Sequence, residues 1–135
     1  MLIPGYNDSG SELEKLSCWM VEQLGPEVPL HFSAFHPDWK MTDVEQTPHQ
    51  TLIRAREIAL ANGIQHVYLG NVHDHQGSST YCHACGQILI GRDWYVLSDW
   101  NLDSQGRCSN CLEPCPGHFE STPGSWGSRR QPVQV

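Results

Sequence analysis

The chain has 135 residues, of which 39% are hydrophobic and 17% charged, and its formal net charge is −7. That length accommodates one ordinary domain, or a small domain with an appendage. With eight Lys and Arg in all, the acidic balance disfavours a nucleic-acid partner held through its phosphates, and no apolar run reaches the length of a membrane span.

The opening MLIPGYNDSG lacks a basic region, a long apolar core and a cleavage site, so it does not read as a secretory signal. The expected compartment is the cytoplasm, where thiols stay reduced and six cysteines point to a metal before disulfides. MLIP reads as a first strand and GYNDSG as a turn. Ser9 and Glu12 form a capping box, and Leu13, Leu16, Met20 and Leu24 recur at helical spacing until Gly25-Pro26, which predicts a helix over residues 10–24. Val28 to Phe35 reads as a buried strand closed by Pro37. Thr47 and Gln50 suggest a second capping box around Pro48, ahead of a helix lined by Leu52, Ala55 and Ala59 and stopped at Asn62-Gly63. IQHVYLGNV reads as a third strand. The order strand, helix, strand, helix, strand favours a parallel sheet.

From Gly77 the texture changes. QILIGRDWYVLSDWNL reads as a hairpin between two Cys-x-x-Cys pairs. The Pro-, Gly- and Ser-rich stretch from residue 121 to 135 reads as a flexible tail. The predicted organisation is therefore an α/β segment over 1–76, a small β module over 77–120 and the tail.

Cys82, Cys85, Cys108 and Cys111 follow C-x2-C-x22-C-x2-C. Two such turns facing each other present four sulfurs as a tetrahedron, which Zn²⁺ accepts without electronic preference. Gly86 suits the left-handed position after the first pair; Leu112 in the same place predicts a less regular second turn. Iron in a rubredoxin-like site, disulfides and a redox Cys-x-x-Cys are the competing readings, the last lacking its βαβ context. A closed four-thiolate site leaves no open position for substrate, so its role is structural. Cys115 and His118 lie near enough in sequence for either to replace a ligand, but Cys115 reads rather as a spare surface cysteine, and Cys18 as a packed one.

The other candidate chemistry lies where the parallel strands end: His36 after the second, Asn71, His73, Asp74 and His75 after the third, and PGYND after the first. His31, in mid-strand, reads as a core residue, and Asp8 and Asp38 as turn formers. There is no serine nucleophile elbow, phosphate loop or dinucleotide fingerprint.

LHFSAFHPD, then YLGNVHD, then TYC-x-x-CG, together with LIPGYND, resemble the C-terminal half of the AmmeMemoRadiSam-system radical SAM enzymes, relatives of pyruvate formate-lyase activating enzyme, over about residues 2–115. The resemblance implies an incomplete parallel (β/α) barrel followed by a zinc-ribbon-like module with four cysteine ligands. In the complete family member it implies a [4Fe-4S] cluster and S-adenosylmethionine, with Pro4, Gly5, His36, Asn71 and His73 as the cofactor-side residues. The family's C-x3-C-x2-C cluster motif is missing here; Cys108, Cys111 and Cys115 give the reverse spacing. The implied reading is a fragment, a miscalled start or half of a split enzyme, inactive alone, with a partner protein supplying the missing barrel half. A zinc-ribbon interaction module and a non-functional truncated product are the alternatives. Cutting three strands from a barrel also predicts an unpaired sheet edge and an exposed apolar inner face.

Overall fold

A computed structural model describes residues 1–125 and 127–129. Of the expected tail, residue 126 and residues 130–135 lie outside the described residues. The protein is a mixed α/β chain of two compact units, Met1–Ser78 and Ser79–Val135.

The first unit contains α1 (Gly10–Leu24), β1 (Leu30–Ser33), α2 (His49–Ala61), β2 (Val67–Gly70) and the single turn α3 (His75–Ser78). Helix α1 starts where the capping residues require it. Ser9 is the N-cap, and its hydroxyl accepts from the Glu12 N–H and donates to the Glu12 carboxylate. Its buried stripe is Leu13, Ser17 and Met20, while Leu16 and Leu24 face outward. Ser17 satisfies its hydroxyl on the Leu13 carbonyl at 2.6 Å. Helix α1 packs on α2, whose buried residues are Leu52, Ala55 and Ala59. Small residues on both helices let the backbones approach closely.

Strands β1 and β2 pair in parallel with Leu30 opposite Val67 and Ser33 opposite Gly70. Both are shorter than the sequence suggests. The opening segment joins them only at one parallel bridge, Leu2 to Ala34. The helix-side face of the sheet (Leu2, Phe32, Ala34, Val67 and Leu69) forms one core with Leu13, Met20, Leu52 and Ile64. Each fully buried leucine there contributes about 2 kcal/mol of burial free energy.

The opposite face of the sheet differs from expectation. Alternation along β1 and β2 places His31, Ser33, Tyr68 and Gly70 on it, not an apolar layer. His31 is exposed and packs its ring on Tyr68 at 5.0 Å between centroids, so it is no core histidine. The sheet edges are also partly filled. The Asn7 carboxamide accepts from the Ile3 N–H at 2.7 Å and donates to the Met1 carbonyl at 3.1 Å, as a neighbouring peptide would. On the far edge, Arg56 donates to the Val67 carbonyl. These contacts blunt the expected open edges.

Thr47 corrects the expected second capping box. The N-cap of α2 is Pro48, and no side chain caps it. The Thr47 hydroxyl instead sits inside the sheet: it accepts from the Phe35 N–H at 2.8 Å and donates to the Leu2 carbonyl at 2.6 Å. A long-range pair of bonds to backbone outweighs the local cap because both strand groups are buried and need partners.

The second unit holds β3 (Thr80–Tyr81), β4 (Ile88–Asp93) and β5 (Val96–Trp100) in one antiparallel sheet of order β3-β4-β5. The hairpin expected between the cysteine pairs is β4–β5. Its buried cluster is Cys82, Leu89, Ile90, Leu102, Cys108 and Cys115, with Leu97, Trp100 and Phe119 against it. Half of that buried set is cysteine.

Thr47→Val removes the hydroxyl and orphans the Phe35 N–H and the Leu2 carbonyl. The expected cost is about 2–4 kcal/mol in urea unfolding, with Thr47→Ser retaining most of the stability.

Candidate metal centre and strand-end rim

The two Cys-x-x-Cys turns are built alike, bond for bond. In the first, the Cys82 N–H donates to the Gln87 carbonyl at 2.8 Å and the Gly86 N–H to the Cys82 carbonyl at 2.9 Å. In the second, the Cys108 N–H donates to Glu113 and the Leu112 N–H to Cys108, each at 2.9 Å. Gly86 has φ 74° and Leu112 φ 65°. The second turn is therefore as regular as the first, contrary to expectation. Leu112 takes the left-handed conformation at a cost of about 1–2 kcal/mol, and its side chain points into solvent.

These turns bring Cys82, Cys85, Cys108 and Cys111 together, with all four sulfurs within 4.8 Å of one another. Cys82 and Cys111 are 3.6 Å apart and Cys85 and Cys108 are 3.7 Å apart. A tetrahedron with metal–sulfur bonds of about 2.3 Å has edges near 3.8 Å. The donor set and spacing fit a metal ion such as zinc. Cys82 and Cys108 are buried, Cys85 and Cys111 exposed.

The surroundings act in opposite directions on the two exposed sulfurs. The Gln87 N–H, then the Asn110 side chain at 3.6 Å, lower the Cys85 thiol to about 6. The Glu113 N–H pulls the same way at Cys111, but the neighbouring Cys85 and burial together push that thiol up to about 12. Four thiols in one small volume do not all ionise without a cation between them. His83 and Glu113 meet at 3.3 Å and tie one turn to the other.

Cys115 is not a surface cysteine. It is buried, 7% exposed, and burial pushes its thiol up. It belongs to the small core rather than to the four-sulfur group. Cys18 is exposed, with its sulfur 3.2 Å from Asn62 Oδ1.

In the first unit, the parallel strands deliver the sequence-predicted rim residues to strand ends. Gly5 lies in the turn after Leu2, with φ 76°, and its N–H donates to Asp8. Pro4 precedes it and is half-buried. His36 follows β1 and is exposed. Asn71 follows β2 directly, at φ 58°, and its side-chain amide donates to the Ala34 carbonyl at 3.2 Å. That bond ties the exit of β2 to the end of β1. His73 is exposed on the same loop. A groove of about 410 Å³ is lined through Asn7, Glu12, Lys15, Leu16 and His31 rather than through His36, Asn71 or His73.

One rim contact had no signal in the sequence. His49, the first residue of α2, places Nε2 2.7 Å from Asp74 Oδ2. Asp74 also accepts from the Gly77 N–H at 2.8 Å. Gly77 fits because a Cβ there would meet the Leu69 side chain at 2.7 Å. Burial acts against the charged Asp74 carboxyl, but the bonds from Gly77 and His49 outweigh it and hold the group below its ordinary value.

No protein-family model and no solved structure matches the chain. Uncharacterized protein MJ0808 of Methanocaldococcus jannaschii is 45% identical over 114 residues, covering 84% of this chain and 34% of that protein. The chain thus spans about a third of the length of the relative it matches. Among the described residues, no helix is long and apolar enough to cross a membrane.

Two outcomes follow from this geometry. Cys108→Ala is expected to abolish metal retention and to unfold the second unit, while Cys115→Ala keeps the metal; metal content after gel filtration and amide exchange by residue check both. Asp74 has a folded value below its unfolded one, so its contribution is full above the unfolded value and fades as pH falls through the folded one. Asp74→Asn is therefore expected to destabilise the first unit at pH 7 and to have little effect near pH 2, read by urea unfolding at the two pH values.

Proposed function

We propose that this chain is the C-terminal part of a radical SAM enzyme of the AmmeMemoRadiSam type, closed by a structural four-cysteine zinc module and not catalytic alone. The family rests on the sequence resemblance, and the observation that carries inactivity alone is the commitment of the cysteines. Four sulfurs meet in one compact group, one further thiol is buried in the adjoining core and one lies on α1. A [4Fe-4S] cluster that binds S-adenosylmethionine takes three thiolates and leaves one iron open. The thiols outside the four-sulfur group do not provide that set.

Three features support the rest of the reading. The strand and helix order with parallel pairing suits a piece of a (β/α) barrel. Polar residues on the uncovered sheet face, His31, Ser33 and Tyr68, suit a surface that lines a cavity in a larger assembly. A relative about three times as long as the matched stretch suits a whole protein in which a further segment or partner supplies the remaining strands. In that assembly Pro4, Gly5, His36, Asn71 and His73 are the residues on the cofactor side. The cytoplasm is the compartment consistent with reduced thiolates.

A second reading, a zinc-ribbon interaction module, is favoured by one observation. The tip of the β4–β5 hairpin presents Trp94, Tyr95 and Val96, each more than 60% exposed. Such an apolar tip suits a protein contact.

Anaerobic purification, metal analysis and a S-adenosylmethionine cleavage assay under reductant test the proposal. One zinc per chain, no iron and no 5′-deoxyadenosine are expected from the chain alone, with cleavage appearing once a cluster-bearing barrel partner is added. Bound [4Fe-4S] and cleavage by the isolated chain overturn it.

A further inference from the structure

We propose that His49 and Asp74 form a proton-accepting dyad at the strand-end rim, with His49 Nδ1 as the base for a small hydroxyl-bearing ligand and Asp74 as the positioning residue. The inference rests on the geometry of the first unit and not on the radical SAM reading, so each can fail without the other.

The contact fixes which nitrogen is available. An ionised carboxylate is an acceptor only, so at 2.7 Å the proton between the two groups belongs to His49 Nε2. In the neutral ring Nδ1 is then the nitrogen that carries the lone pair. The two side chains divide exposure unequally: Asp74 is 14% exposed and His49 49%. The buried member is held and the exposed member faces outward, which is the arrangement of a base oriented by a carboxylate.

Asp74 has little freedom to point elsewhere. Its other oxygen accepts from the Gly77 N–H, and its carbonyl accepts from the Ser78 N–H, so the turn grips it from both ends. Helix α2 has no acidic residue in its first turn and no side-chain cap. Asp74 supplies, from another loop, the negative charge that offsets the imidazolium formed when Nδ1 takes a proton. The step is balanced: the ligand O–H bond breaks, its proton moves to Nδ1 and the electron pair stays on the ligand oxygen.

The placement suits a ligand. Helix α2 begins, and the Asn71–Asp74 loop leaves the sheet, at the ends of parallel strands, where α/β proteins collect polar ligands. Asn71, with φ 58°, takes a left-handed conformation that asparagine readily adopts and turns the chain from β2 into the loop that carries Asp74.

Diethyl pyrocarbonate, which acylates an unprotonated imidazole nitrogen, is the probe, with peptide mass mapping of each histidine at about pH 8.5, well above the ordinary imidazole range, so that both rings compared are neutral. His49 is expected to react at least about threefold faster than exposed His36 in the same sample, as an oriented base should. Asp74→Asn keeps an oxygen for the Gly77 N–H but removes the charge, and it is expected to erase that advantage. Equal rates at His49 and His36 in the unsubstituted protein, or an advantage that survives Asp74→Asn, overturn the proposal. Long-range ¹H–¹⁵N spectra of the unsubstituted protein give a readout independent of any variant's folding: a protonated Nε2 and bare Nδ1 on His49 are expected, and a protonated Nδ1 overturns it.

Discussion

The closeness of four sulfurs is the constraint on which the second unit depends. Among the described residues, its buried apolar cluster consists of Leu89, Ile90 and Leu102 beside three cysteines. A core of that size does not offset the conformational entropy of about fifty residues. Two turns with matching bonds hold the thiols at tetrahedral spacing, and the Gln87 and Glu113 N–H groups bond the sulfurs of Cys85 and Cys111. A cation held at the centre would convert mutual repulsion of thiolates into the main attractive interaction of the unit. The left-handed Leu112 is tolerated under the same constraint.

The first unit solves a different problem. Its sheet is short, and the backbone groups at its margins need partners. Side chains act as substitute peptide groups: Asn7 along the outer edge, Thr47 between the first segment and β1, Asn71 between β1 and the exit of β2, Arg56 on the far edge. Three of these four lie at or near the strand ends that carry the candidate ligand-facing residues. The rim is therefore a hydrogen-bonded frame, and His49 and Asp74 extend it to the start of α2.

Local signals were the readable part of the sequence. Helix α1 follows its Ser9–Glu12 cap and Gly25 stop, the hairpin follows its β-prone runs, and the metal group follows the spacing of its cysteines. What was missed depends on contacts between residues far apart in the chain. Thr47 matches a capping pattern but bonds residues 45 and 12 positions away. The partners His49 and Asp74 are 25 residues apart. Ser17 fills a core position because small residues on α2 admit a close helix, which the spacing of leucines alone did not reveal. Cys115 is buried by Phe119 and the β4–β5 sheet rather than left at the surface, and spacing carries no information about burial.

A four-cysteine group able to hold a metal ion in one unit and a polar, hydrogen-bonded rim in the other give the two halves of the chain different chemistry, and the reading proposed above assigns stability to the first and ligand contact to the second. X-ray absorption at the metal edge of the purified protein tests the first assignment most directly. The account predicts zinc with four sulfur neighbours at about 2.3 Å and no lighter atom in the first shell. An iron edge with iron–iron scattering, or zinc with fewer than four sulfurs and an oxygen in the remaining place, would contradict it.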